Sequence, residues 1–121
     1  MTIIPLKSYM RTYRKRTGLT HEEVAFLCGA MYGTSVARHE RASRLPMLKT
    51  ALMYELILGA SVRQLYDGVY HVAREAVRAR ASGLLASLQR KPQTPKREQK
   101  LAALRRLLDE LAEEHPTTSG A

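Results

Sequence analysis

Residues Leu19–Arg41, LTHEEVAFLCGAMYGTSVARHER, read as two short helices joined at a glycine. Thr20 can accept hydrogen bonds from the free backbone N–H groups of a first turn, and Glu23, three residues on, completes a capping box. The pattern predicts a helix from about Thr20 to Cys28. Val24, Phe26, Leu27 and Cys28 are its expected apolar surface, Ala25 is small enough for a second helix to pack close, and Gly29 supplies the left-handed residue that ends it. Beyond the turn, Val36 and the aliphatic part of His39 stand at i and i+3 on an inward face. That leaves Tyr32, Thr34, Ser35, Arg38 and Arg41 toward solvent or a ligand.

Outward from this stretch the pattern stays helical. Leu6, Met10 and Tyr13 recur at i, i+4 and i+7 within Pro5–Thr17, predicting a first helix that ends at Gly18. Pro46, followed by Leu48, Leu52 and Leu56 with Ala51 and Ile57, begins and fills a fourth helix stopped by Gly59. Ser61 caps a short fifth helix whose Val62, Leu65 and Tyr66 close a bundle, and Asp67 with Gly68 is the expected turn that ends a first domain at residues 1–68. Val69–Arg90 carries Val72, Ala76, Val77, Leu84, Leu85 and Leu88 at helical spacing, with Ser82 and Gly83 as a candidate kink or split. Lys91, Pro92 and Gln93 break that run. Thr94 then serves as an N-cap and Pro95 as a first helical residue. From there to about Glu114, Leu101, Leu104, Leu108 and Leu111 alternate at spacings of 3 and 4, with Leu107 widening the stripe. The expected architecture is all-α, a five-helix bundle followed by two C-terminal helices in residues 69–114. The tail, residues 115–121, is expected to be disordered.

Charge narrows the partners. Of 121 residues, 20 are Lys or Arg and 11 are Asp or Glu, a net charge of +9 that favours a polyanion. The excess is uneven: residues 1–45 hold 8 basic and 3 acidic side chains and residues 70–97 hold 7 and 1, whereas residues 98–121 hold 3 and 5. The last helix is therefore not built to meet phosphate. No run of about 18 apolar residues is present to span a membrane, and Met1–Leu6 lacks a signal-peptide core, so the expected location is cytoplasmic. A single cysteine, Cys28, makes no internal disulfide and is expected as a small core residue. Four scattered histidines lack zinc-ligand spacing, so neither a metal nor another cofactor is expected. No phosphate loop, nucleophile elbow, paired catalytic carboxylates or His-Cys dyad can be assembled, and catalysis is not expected.

Taken in order, Arg14, Gly18-Leu19-Thr20, Glu22-Glu23-Val24-Ala25, Gly29, Glu40-Arg41, Pro46, Leu58-Gly59-Ala60-Ser61-Val62 and Leu65-Tyr66 resemble the Cro/repressor-type (XRE-like) helix-turn-helix family over roughly Leu6 to Gly68. Two features depart from the family pattern. One extra residue separates the turn glycine from the recognition helix, and His39 stands where an aliphatic residue is usual. The resemblance implies a five-helix bundle whose recognition helix lies in the major groove of double-stranded DNA. It implies that Arg38 reads a base, since a guanidinium can donate two parallel hydrogen bonds to guanine O6 and N7. Thr34 and Ser35 stand where members contact bases or phosphates, or else cap the recognition helix, while Gly33 offers no side chain there. Tyr32 has two readings, a phosphate or thymine-methyl contact and ordinary packing beside the turn. His21 would face phosphate at a helix N-terminus, and Arg41, Ser43 and Arg44 would contact the DNA backbone from the following loop. Arg14 and Glu40 would form a partly buried structural ion pair.

The leucine stripe must be covered. Two heptads are too few for an isolated coiled coil, so Leu101, Leu104, Leu107, Leu108 and Leu111 pack on the Val72–Leu88 helix, on a second protomer, or on both. A homodimer is the expectation, because two recognition helices on a two-fold axis read a pseudo-palindrome about one DNA turn apart. The functional expectation is a sequence-specific transcriptional regulator. The alternative is a protein-interaction module, such as a toxin-neutralising antitoxin or a bridging factor, which the acidic, leucine-striped last helix favours. Arg74, Arg78 and Arg80 form a basic cluster with three readings: a wider DNA footprint, a site for an acidic protein, or a solvated helix face.

Overall fold

The computed structural model describes residues 8–29 and 32–113. Leu6 and the expected tail, residues 115–121, lie outside them. The described residues are all-α: seven helices and no strand. They divide into two compact units, Met1–His71 and Val72–Ala121, with the boundary inside the sixth helix.

The first unit holds α1 (Met10–Thr17), α2 (His21–Leu27), α3 (Gly33–Glu40), α4 (Leu48–Leu58) and α5 (Val62–Leu65). Their ends follow local chemistry. Thr20 Oγ1 accepts from the Glu23 backbone N–H at 3.1 Å while the Glu23 carboxylate accepts from Thr20 N–H at 2.9 Å, the expected capping box. Ser61 and Gln64 repeat the device at α5. Gly59 ends α4 at φ 72°, and Gly29 follows α2 at φ 102°, both in the left-handed region.

The core of this unit gathers Met10 from α1, Val24 and Ala25 from α2, Val36 from α3, Tyr54 and Leu58 from α4, and Leu65 and Tyr66 around α5. Tyr13, Leu19 and Cys28 pack against it from partly buried positions, and burial pushes the Cys28 thiol up. A bond from Tyr9 N–H to the Leu65 carbonyl, 2.8 Å, ties the start of α1 to α5.

Two expectations about packing fail. Phe26 and Leu27 of α2 are exposed, and that short helix meets the core through Val24 and Ala25 instead. In α4, Leu48, Leu52 and Leu56 point outward, while Ala51, Tyr54 and Leu58 are buried. Both sets have helical spacing, and the inward one carries the bulkiest side chain of the helix, Tyr54.

The second unit is a helical hairpin made by α6 (Asp67–Gln89), from Val72 onward, and α7 (Pro95–Glu113). Asp67 and Gly68 do not form a turn. They are the first residues of α6, where the Asp67 carboxylate suits the positive end of the helix dipole. Nor do Ser82 and Gly83 split α6, since the surrounding Ala, Leu and Arg residues are strong helix formers. Thr94 caps α7, its Oγ1 accepting from Arg97 N–H at 3.1 Å.

The Arg97 guanidinium donates to the Leu88 and Gln89 carbonyls at 2.8 and 3.2 Å, closing the α6 C-terminus. At the far end Arg74 donates to the Leu111 carbonyl. These pairings run antiparallel. Ala81, Leu101 and Leu111 are buried in the hairpin, and Leu85, Leu88, Leu104, Leu107 and Leu108 are half-buried. The basic cluster of α6 is dispersed: Arg74 is buried, Arg78 pairs with Glu75 at 2.9 Å, and Arg80 is exposed.

Candidate nucleic-acid interface

α3 is presented by α2, which packs along it, and by an anchored back face. Gly33, Val36, His39 and Glu40 are buried, whereas Thr34, Arg38 and Arg41 are exposed at i, i+4 and i+7, on one outward stripe. Ser35 is half-buried at the edge of that stripe. α3 starts at Gly33 with Tyr32 as its N-cap residue. Tyr32 makes no side-chain cap, and its ring is exposed, as a ligand-facing residue requires. Thr34 and Ser35 lie inside the first turn rather than at the cap position. Gly33 is buried because the Glu22 carboxylate fills the space where a Cβ would stand.

The far end of α3 closes in a Schellman motif. Ala42 N–H donates to the His39 carbonyl and Ser43 N–H to the Arg38 carbonyl, each at 3.1 Å. Ala42 takes φ 58°, a left-handed conformation that usually selects glycine. Ser43 Oγ also donates to the Arg38 carbonyl at 3.3 Å, so this expected phosphate ligand already serves the helix end. Arg44 is exposed beside it.

The predicted ion pair forms. Arg14 Nε and Nη2 both donate to the Glu40 carboxylate, the second at 3.4 Å, and Nη1 reaches the Leu19 carbonyl at 2.9 Å. His21 Nε2 lies 3.1 Å from the same carboxylate. His21, expected to face phosphate, is therefore held at Glu40, half-exposed at the start of α2. Burial pushes the Glu40 carboxyl up, but the hydrogen bonds and charges of Arg14 and His21 outweigh it and hold Glu40 below its ordinary value. Ser8 Oγ donates to the Glu40 carbonyl at 2.7 Å, adding a link between α3 and the start of α1.

His39 makes a second anchor. Its Nδ1 is 2.6 Å from the Tyr54 hydroxyl, with the two rings edge to face, and the Tyr66 hydroxyl donates to the His39 carbonyl at 3.0 Å. Burial lowers the His39 pKa, and the charge of Arg44 lowers it further; both favour the neutral imidazole. Burial likewise raises the pKa of both tyrosines. These two tyrosine contacts explain how a histidine is accommodated at this buried position.

Arg11 was missed by the sequence reading. It lines, with Arg14, His21, Glu40 and Arg41, an open cleft of about 680 Å³ among α1, α2 and α3. The signal was its place three residues before Arg14, on the same side of α1. Of the stripe expected to mediate dimerisation, Leu101 and Leu111 are already buried within the hairpin, and Leu104, Leu107 and Leu108 retain partial exposure.

Among the described residues no group of three His, Cys, Asp or Glu side chains could hold a metal ion, and no helix is long and apolar enough to cross a membrane. Comparison with protein-family models, with curated proteins and with solved structures returns no match.

Proposed function

We propose that this protein is a sequence-specific, double-stranded DNA-binding transcriptional regulator of the Cro/repressor-like type, acting in the cytoplasm as a homodimer on a pseudo-palindromic operator. The observation that supports this reading best is the outward stripe of Thr34, Arg38 and Arg41 on a helix whose opposite face is fixed by Val36, His39 and Glu40. A short helix held that rigidly can enter a major groove without first becoming ordered. Arg38 reads a base edge. Thr34, Ser35 and Tyr32 contact the groove or its rim, while Arg41 and Arg44, with Arg11 from α1, approach backbone phosphates. His21 approaches phosphate too while keeping its bond to Glu40, and Ser43 does so by turning its one hydroxyl proton away from the Arg38 carbonyl.

Selection of genomic fragments by the purified protein tests the reading, followed by a salt series against random DNA. An inverted repeat preferred by about a thousandfold or more supports it. Equal binding to every fragment, abolished by salt, removes it. Arg38→Ala should relax preference at one base per half-site and weaken specific binding by about 1–3 kcal/mol, whereas Arg44→Ala should weaken all sequences alike.

One observation favours the protein-interaction reading as a second possibility. Val72, Val77 and Leu84 of α6 are exposed on a hairpin of only two helices, a surface that suits a protein partner such as a toxin.

A further inference from the structure

α4 carries an apolar face that stands exposed among the described residues. Leu48, Leu52 and Leu56, each one turn from the next, are 74%, 48% and 84% exposed, and Met47 at the N-cap is 79% exposed. Side chains four residues apart on a helix stand in line, so the leucines form a straight stripe with Leu52 at its centre. No ionisable group interrupts it. Lys49 lies to one side, and the Glu55 carboxylate is turned away to accept from Val62 N–H at 2.9 Å. Together the four residues expose on the order of 500 Å² of apolar surface, near the top of what a single patch on a monomer usually shows.

We propose that this stripe is a self-association surface on which a second copy of the chain lays its own α4, antiparallel, about a two-fold axis through Leu52. Three observations select a second copy as the occupant. First, leucines spaced evenly about Leu52 place leucine against leucine when the helix meets an antiparallel copy of itself, which suits an isologous contact. Second, the chain carries +9, and α1 and α3 expose Arg11, Lys15, Arg16, Arg38 and Arg41. The α4 stripe lets two such chains approach with no like charges opposed, and it offers no cation for the acids of a foreign partner.

Third, two copies that cover these four residues fully would bury about 1,000 Å² in total, the threshold for a specific interface and the size of a reversible one. The α7 stripe has less to offer, since Leu101 and Leu111 are buried within the hairpin. The inference rests on the regulator reading only for the existence of a dimer, and it moves the contact from α7 to α4.

Sizing with light scattering across a dilution series tests it on the full chain. The wild type should dimerise reversibly. Leu52→Glu with Leu56→Glu should raise the dimer dissociation constant about tenfold or more without loss of helicity, because both side chains are exposed. Leu104→Asp with Leu108→Asp should leave the dimer in place.

A wild type that is monomeric throughout, or an α4 variant that dimerises as well as the wild type, overturns the proposal. Should the charged variant lose helicity, Leu52→Cys in a Cys28→Ala background decides. Oxidation should link two copies at the axis, whereas Leu84→Cys in the same background should not link them. Failure of Leu52→Cys to cross-link overturns the proposal.

Binding to a single operator half-site is followed in parallel. An α4 variant that has lost the dimer but keeps half-site binding supports both readings. An α4 dimer with no sequence preference sustains the inference and removes the regulator. A dimer broken only by the α7 variant, with sequence preference retained, does the reverse.

Discussion

α4 and α7 both carry leucines at helical spacing, yet they use them in opposite ways. In α7 the stripe turns inward and Leu101 and Leu111 are buried against α6; in α4 it turns outward, and Ala51, Tyr54 and Leu58 make the core contact. What separates the two is competition on the helix. α7 offers one apolar face opposite a strongly charged one, so its leucines have no rival. α4 is apolar nearly all round, and its inward face goes to the side that holds Tyr54, whose hydroxyl finds His39. A leucine repeat therefore identifies a helix and does not by itself identify the buried side.

The largest effect expected from this contrast lies on the inward face of α4. Tyr54→Ala should destabilise the first unit by about 3–5 kcal/mol, since it opens a cavity and strips His39 of its partner. Urea unfolding followed by circular dichroism measures it, and a cost below about 1 kcal/mol would mean that Tyr54 is not the anchor described here. Next in size, Leu101→Ala should cost the hairpin about 2–4 kcal/mol, whereas Leu56→Ala should change the stability of the monomer by no more than about 0.5 kcal/mol. Equal costs would erase the distinction between the two stripes.

Acid should sharpen it by loosening one unit before the other. His39 has a folded pKa lowered from its ordinary 6.5, so its contribution is present above that value and is lost as pH falls through it. Glu40, lowered from 4.5, adds a second loss as pH falls below that value. The described residues of the hairpin contain no histidine. Hydrogen exchange at pH 7.5 and 5.5 should show protection falling in α3 and α4 and holding in α7; a uniform fall would contradict the assignment. The smallest effect is a gain. Ala42→Gly should stabilise the first unit by about 1 kcal/mol, because Ala42 holds φ 58°. A loss on urea unfolding would show that the turn does not strain alanine.

Local chemistry was largely legible in the residues. Thr20 with Glu23, Ser61, Gly29, Gly59 and Thr94 mark helix ends, because caps are decided by atoms within three or four residues. The outward stripe of α3 follows from Val36 and His39 by periodicity alone. Facing was less legible wherever a helix is apolar on several sides, as with Phe26, Leu27 and the α4 leucines, since the choice depends on partners distant in sequence. The end of the bundle was misread for a related reason. Asp and Gly usually signal a turn, but here Asp67 opens a long helix separated from α5 by Tyr66 alone.

The candidate site divides in the same way. Arg14 and Glu40 were identified through the family resemblance, and the structure brings them together. That His21 joins them, and that Arg11 lines the same cleft, depends on how α1, α2 and α3 meet.

The bond between His39 and Tyr54 also has a consequence for how this sequence can change over generations. An aliphatic residue at position 39 alone would bury the Tyr54 hydroxyl without its partner, and phenylalanine at position 54 alone would do the same to the imidazole Nδ1. Either single step carries a penalty of roughly 1–3 kcal/mol, while both together exchange a polar pair for a dry contact at little net cost. The two positions are thus epistatic. A lineage leaves this arrangement only through a less stable ancestor, so the histidine and the tyrosine are inherited as a unit.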